Sequence, residues 1–369
     1  MKLRVLIGAG GTGGHVYPAL AVAQALLRDS SEAHDLFFFG ATGGMERKLV
    51  LESGLEFAGY HEILAGPLHG VNPLRALASL AKLSAGTIQS LIKLLQIRPQ
   101  VILLTGGWLN LPVAISGHLF GVPIAIFLPD IEPGLAIKAL QRFAARVAVS
   151  VEASAEYFPP GKTVVTGYPL QANRLNATRE KAREHFNLDE ARTTLLVFGG
   201  SRGARNINIA LGAHLRQLLD DGVQVLHITG EFDWERALRE AGELKDHPDY
   251  HAFPYLHDDM GLAFAAADLA LCRAGASALA ELPLFALPAI LVPYPYAWRY
   301  QKVNAEFLSE RGAAIRINDE DMPAKLYDVV SSLINDEERL QEMSRRSGAL
   351  ANPEGADRLA RLLTETGGA

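Results

Sequence analysis

The chain has 369 residues, 35 basic and 41 acidic side chains, and a formal net charge of −6. Hydrophobic residues make up 49% and charged ones 21%, enough apolar surface to offset the entropy of ordering, so extended disorder is excluded. The mildly acidic balance excludes a strongly basic nucleic-acid binder, and the single cysteine, Cys272, excludes a disulfide scaffold and a thiolate-rich zinc site.

In chain order, the opening MKLRVLIGAGG has an apolar run too short for a secretory leader, so a cytosolic location is expected. Strands are predicted at 3–7, 36–39, 101–104, 123–127, 146–150 and 163–166. The pattern restarts with 194–198, 223–229, 250–253, 268–272 and 289–292. Strands alternating with helical stretches predict parallel sheets covered on both faces. At about 150 residues per domain the length suggests two domains. The turn-rich TGYPL places the seam between 1–166 and 167–345, with 346–369 a closing helix that packs back on the first domain. The resulting α/β architecture is two Rossmann-like domains facing across a cleft. The uncharged run 99–129 is long enough to span a bilayer, but Gly106, Gly107, Pro112, Gly121 and Pro123 break it into a buried strand–helix–strand unit.

Three glycine loops follow strands. GAGGTGGHVYPAL (8–20) has glycines that permit close backbone approach, so that amide N–H groups can meet a phosphate at a helix start. Pro18 is expected in the first turn of that helix, with His15 where loop becomes helix. Gly8, Gly10 and Gly13 also satisfy GxGxxG, but the second strand ends without the carboxylate a dinucleotide ribose needs. No Lys-Ser/Thr follows, which removes the P-loop reading. TGGW (105–108) and GGSRGARNIN (199–208) are the other loops, and the three together predict phosphorylated ligands. Further on, CRAGASALAEL (272–282) enters a helix carrying Glu281, which can either hold a ribose or pair with Arg273. Gln301 and Asn304, three apart, share one face of the next helix.

GGTGGHVYPALAVA, TGGW, GGSRGAR and CRAGASALAEL…PAILVPYPYA…Q..NA, in this order over nearly the whole chain, resemble the motifs of the MurG family of GT-B inverting glycosyltransferases. That resemblance implies UDP-N-acetylglucosamine as donor, a lipid-linked acceptor (lipid I), and lipid II and UDP as products of peptidoglycan synthesis. It implies donor contacts at Thr12, Gly13, Gly14, Ser201, Arg202, Gly203, Leu256, Arg273, Ala276, Ser277, Ala278, Leu279, Ala280, Glu281 and Gln301. Leu256 would pack near the uracil, Glu281 would hold the ribose and Gln301 would touch the sugar. An acceptor-diphosphate site at Gly10, Gly11, Gly106, Gly107 and Trp108 is also implied. The chain departs from the family at three places: FLPDIEPG replaces HEQN, YPLQ replaces NPxR, and Tyr300 precedes Gln301. An alternative is therefore a UDP-sugar transferase with another lipid or polyol acceptor, or a nucleotide-sugar binder without turnover.

Inverting transfer needs a base for the acceptor hydroxyl, and His15 is the first candidate, Asp130 the second. No metal-ligand spacing is present, so no intrinsic metal is expected, although a loosely bound Mg2+ on the pyrophosphates is compatible with the sequence. No carboxylate lies between Glu62 and Asp130, whereas Arg75, Lys82 and Lys93 fall on one helix face beside leucines. That stripe predicts contact with an anionic membrane surface, hence a peripheral position on the inner face of the cell membrane. A helix pair kinked at Gly86 and packed on the sheet is the other reading of this stretch.

Overall fold

The computed structural model describes residues 2–28, 34–68, 70–171, 177–199, 204–256, 259–295 and 300–368. The chain divides into two units, residues 1–171 with 353–369, and residues 172–352. The seam therefore falls a few residues later than the turn-rich segment suggests. The returning piece starts at 353 rather than 346, because the helix at Glu337–Gly348 buries its apolar side within the second unit.

The first unit is built on seven parallel strands: β1 (Arg4–Ala9), β2 (Asp35–Ala41), β3 (Gly59–Ile63), β4 (Val101–Gly106), β5 (Ile124–Leu128), β6 (Arg146–Val149) and β7 (Thr163–Val165). Their order is β3-β2-β1-β4-β5-β6-β7. VILLTG and IAIFL are buried at every position, as expected of parallel strands covered on both faces. The uncharged run 99–129 is thus β4, a helix α4 (Asn110–Leu119) and β5. The helices before α4 are α1 (Gly13–Arg28), α2 (Glu46–Glu52) and α3 (Pro73–Ile97), and α5 (Leu135–Leu140) follows it.

The second unit has six parallel strands: β8 (Thr194–Phe198), β9 (Gln224–Ile228), β10 (Tyr250–Phe253), β11 (Leu269–Cys272), β12 (Ala289–Leu291) and β13 (Ala314–Arg316). The order is β10-β9-β8-β11-β12-β13. Around them lie α6 (Arg179–His185), α7 (Arg205–Asp220), α8 (Trp234–Ala241), α9 (Met260–Ala266), α10 (Ala278–Leu284), α11 (Tyr300–Glu310), α12 (Met322–Ile334) and α13 (Glu337–Gly348). The last helix, α14 (Gly355–Gly368), belongs to the first unit, packs on α1 and β4, and is tied to α1 by the Arg28–Asp357 ion pair.

Strand order reverses between β1 and β4 in one unit and between β8 and β11 in the other. At such a switch point adjacent loops diverge and leave a crevice at the carboxyl ends of the strands. Two strands, β3 and β13, are absent from the sequence expectation. GYHEI is only half-buried at the sheet edge and lacks a clean alternation, and AIR is three residues long.

Two local expectations are corrected. Helix α1 starts at Gly13, because the Thr12 carbonyl already accepts from the amides of His15 and Val16, so Pro18 stands inside the helix rather than in its first turn. The segment 73–97 is one helix, not a kinked pair. Gly86 lies in its buried face, where a Cβ would collide with the Leu64 carbonyl, so the glycine allows a close crossing instead of a break.

Arg183 is the largest fully buried side chain among the described residues. It bonds Asp268 at 2.7 Å and the carbonyls of Asp189, Arg192 and Ala266, which joins α6 to the edges of β8 and β11. Replacing Arg183 with Met should destabilise the folded chain by about 1–3 kcal/mol, since it leaves buried carbonyls short of a donor while Arg179 and the Thr194 amide still hold Asp268. Denaturant unfolding followed by circular dichroism measures this.

Candidate active site

At the switch point of the first unit the loop after β1 lies against the loop after β4. Gly10 N–H donates to the Gly106 carbonyl at 3.2 Å, and Asn110 Nδ2 donates to the same oxygen at 2.7 Å. Gly106 and Gly107 have φ of +135° and +92°. A Cβ on Gly107 would sit 2.5 Å from the Gly10 carbonyl oxygen, and one on Gly106 2.5 Å from the His15 ring. Backbone therefore meets backbone, and only glycine fits both the dihedrals and the gap. Trp108 is half-buried just beyond.

This packing corrects part of the expected phosphate site. The Gly10 amide is used by Gly106, and the Gly11 amide donates to Glu46 Oε1 at 2.7 Å. Neither is free to receive a ligand. The N–H groups of Gly13 and Gly14, in the first turn of α1, have no acceptor within the helix, and Gly14 is exposed. They lie at the positive end of a helix of 16 residues, where an anion is favoured.

His15 is the third residue of α1. Its Nδ1 lies 2.9 Å from the Gly10 carbonyl, and Thr105 Oγ1 on β4 donates to the His15 carbonyl at 2.7 Å. A carbonyl can only accept, so Nδ1 carries the proton and the neutral ring keeps its lone pair on Nε2. Burial lowers the His15 pKa below 6.5. The bond to Gly10 and the negative charges of Asp130 and Glu46 pull it partly back. The fold thus brings together His15 and Asp130, the latter placed just after β5.

In the second unit, Ser201, Arg202 and Gly203 lie outside the described residues. The helix that follows them is fixed by a buried chain. Tyr250 hydroxyl bonds His227 Nδ1 at 2.8 Å, His227 Nε2 bonds Asn208 Oδ1 at 3.0 Å, and Asn208 Nδ2 donates to the Thr229 carbonyl at 2.9 Å. Burial pushes His227 down to about 3, so this chain stays neutral. After β11, the amides of Ala278, Leu279, Ala280 and Glu281 are taken by Gly275, Ala276 and Ser277 carbonyls, as the turn tightens into α10. Glu281 is buried in that helix, and Leu256 is buried beyond β10.

Arg273, expected among the donor contacts, is instead engaged within the protein. It forms a buried ion pair with Asp319, donates to the Val292 carbonyl at 3.2 Å and covers the Tyr294 ring at 5.3 Å. Gln301 and Asn304 brace loops: Gln301 Oε1 accepts from the Tyr294 amide at 2.8 Å, and Asn304 Nδ2 donates to the Ala274 carbonyl at 3.1 Å. Beside them is a cavity of about 850 Å³, lined by Asn206, Ile209, Tyr294, Lys302, Asp319 and Met322 among others, none of which the sequence nominates. Glu46, Thr105 and Asn110 were likewise not nominated. Their partners are 35, 90 and 4 residues away, and only tertiary structure shows the first two contacts.

Two Rossmann-like units, each with glycine-bearing loops at its strand-order reversal, give the chain a GT-B architecture. Residues 5–149 match the glycosyltransferase family 28 N-terminal domain and residues 194–359 match the family 28 C-terminal domain. The chain belongs to the MurG family within glycosyltransferase family 28. It is 38% identical, over 99% of both chains, to the UDP-N-acetylglucosamine--N-acetylmuramyl-(pentapeptide) pyrophosphoryl-undecaprenol N-acetylglucosamine transferase of Desulforudis audaxviator. The Roseiflexus protein of the same name is 37% identical, with 98% of this chain and 94% of that one covered. Among solved structures, Acinetobacter baumannii MurG aligns with a TM-score of 0.78 at 26% identity, covering 99% of this chain and 100% of that one.

Replacing Gly106 with Ala should displace the His15 ring and cost at least roughly tenfold in kcat through strain at a left-handed position. The chain should still fold, so circular dichroism beside the transfer assay separates a displaced ring from an unfolded protein.

Proposed function

We infer that this chain moves N-acetylglucosamine from UDP-N-acetylglucosamine to lipid I, the undecaprenyl-pyrophosphoryl-linked N-acetylmuramoyl-pentapeptide, giving lipid II and UDP. The observation that carries this reading is the full-length match to transferases named for that reaction. The conformation of the His15 loop supports it. The acceptor hydroxyl attacks the anomeric carbon, its proton passes to His15 Nε2, and the bond to the diphosphate breaks with its electron pair leaving on UDP. His15 is suited to this role because burial keeps it neutral below pH 6.5, and Asp130 favours the imidazolium that forms. Phosphate oxygens are received at the open first turn of α1, where N–H groups without a partner in the helix oppose negative charge on the phosphates.

The acceptor carries a polyprenyl chain, so the enzyme must work at a membrane surface. No helix among the described residues is long and apolar enough to cross one. Helix α3 has an unusual distribution instead. Its buried side is Ser79, Leu83, Gly86, Ser90, Leu94 and Ile97, whereas Leu74, Leu77, Leu80, Ile88, Ile92 and Leu95 are exposed, Leu74 at 81%. At about 100° per residue these sets lie on opposite sides, with Arg75, Lys82 and Lys93 along one flank. The side facing the protein thus mixes Ser79, Gly86 and Ser90 with Leu83, Leu94 and Ile97, while six further leucines and isoleucines face out. This supports peripheral attachment to the cytoplasmic leaflet, with α3 lying in the headgroup region.

The direct test is to incubate the purified chain with UDP-N-acetylglucosamine and a lipid I analogue and identify the product by mass. Turnover on a different acceptor alone would overturn the assignment. The acid limb of the pH profile of kcat/KM should lie below pH 6.5. Replacing Asp130 with Asn should move it lower still, because a charge that raises His15 is lost. Vesicles rich in anionic lipid should bind the protein. Changing Arg75, Lys82 and Lys93 together to Glu should weaken binding at least a hundredfold, at about 1 kcal/mol per basic side chain. Flotation assays read the difference.

A further inference from the structure

The peptide unit joining Gly10 to Gly11 is gripped from both ends. Its carbonyl accepts from His15 Nδ1 at 2.9 Å, and its N–H donates to Glu46 Oε1 at 2.7 Å. The two contacts share one planar amide, so carboxylate, peptide and imidazole form a continuous line of hydrogen bonds. Glu46 is 1% exposed, and its second oxygen, Oε2, is buried with no hydrogen-bond partner among the described residues. A buried carboxylate costs several kcal/mol unless compensated. Here part of the compensation is its place in the first turn of α2, where the helix dipole favours negative charge.

We propose that Glu46 is a positioning residue for His15, acting through the Gly10–Gly11 peptide to fix the ring and to stabilise the imidazolium formed during transfer. The inference rests on His15 being the base. A negative charge at the amide N–H draws electron density toward the carbonyl oxygen, which strengthens the bond from Nδ1–H. That bond gains most when the ring becomes positive, which is when Nε2 has taken the acceptor's proton. The proton stays on Nε2, Nδ1–H stays on the ring, and no proton passes to the peptide or to Glu46. The arrangement does the work of a carboxylate bonded directly to histidine, with an amide inserted between them. The charged groups acting on the ring are Glu46 from α2 and Asp130 from the segment after β5. The turn after β4 presents only the uncharged Gly106, Gly107 and Trp108. Asp130 acts through space, whereas Glu46 also acts through bonds.

The relay also explains why a loop with so many glycines spends one of its amides on an internal carboxylate. With Gly11 occupied, the amides left for an incoming phosphate at the start of α1 are those of Gly13 and Gly14.

The test is Glu46→Gln in the full chain, which keeps an oxygen for Gly11 N–H and removes the charge. Nitrogen-15 NMR of histidine-labelled protein should show the His15 titration moving to lower pH than in the wild type. At neutral pH kcat should fall roughly tenfold, within the usual contribution of general-base catalysis, while KM for both substrates stays within about twofold. Glu46→Asp, which retains the charge but withdraws the oxygen from Gly11, should also lower kcat, and it serves if E46Q does not fold. An unchanged His15 titration in folded E46Q, or wild-type kcat in folded E46D, overturns the relay even if His15 is essential. Wild-type turnover in His15→Asn overturns the base assignment itself, so the two failures are distinct.

Discussion

The contact on which the first unit's chemistry depends is between two stretches of main chain. The loop after β1 and the loop after β4 approach until the Gly10 carbonyl and the Gly107 α-carbon leave no room for a side chain, with the Gly10 amide bonded to Gly106. From this follow the seat of the His15 ring on Gly106, the direction of its Nδ1 toward Gly10, and the exposure of Gly14 at the helix start. The second unit reaches a comparable rigidity by another route. There the turns after β11 and β12 are held by side-chain amides, Asn304 on the Ala274 carbonyl and Gln301 on the Tyr294 amide. Backbone against backbone in one half and amide braces in the other both restrain the loops before any ligand arrives, which limits the entropy lost on binding.

Much of this was legible in the sequence for a mechanical reason. A glycine run directly after a β-branched run can serve few purposes, so three such loops marked the two switch points without any tertiary information. Hydrophobicity alone, however, does not read the faces of α3. It treats leucine as inward and serine or glycine as outward, but the crossing over Leu64 needs small residues, and Ser79, Gly86 and Ser90 are buried while Leu77 and Leu80 face out. Spacing along the chain could not show that Gly11 was already bonded to Glu46, or that Arg273 was paired with Asp319, 46 positions on. An amide donor and a cation were therefore counted as available when both are internally satisfied. The strands β3 and β13 were missed because an edge strand needs only one good face and a three-residue strand has too little pattern to read.

The placement of α14 has a consequence for how the molecule comes into being. Its apolar face covers α1 and β4, and Gly355 and Gly367 approach the Tyr168 carbonyl and Val101 closely, yet it is separated from the rest of its unit by the whole of residues 172–352. During synthesis the amino-terminal sheet emerges early with the α1–β4 side bare. It must wait in that unfinished state while the entire second unit is translated. Only when α14 has left the ribosome is that side covered, so the first unit is completed after the second although its sheet is made earlier.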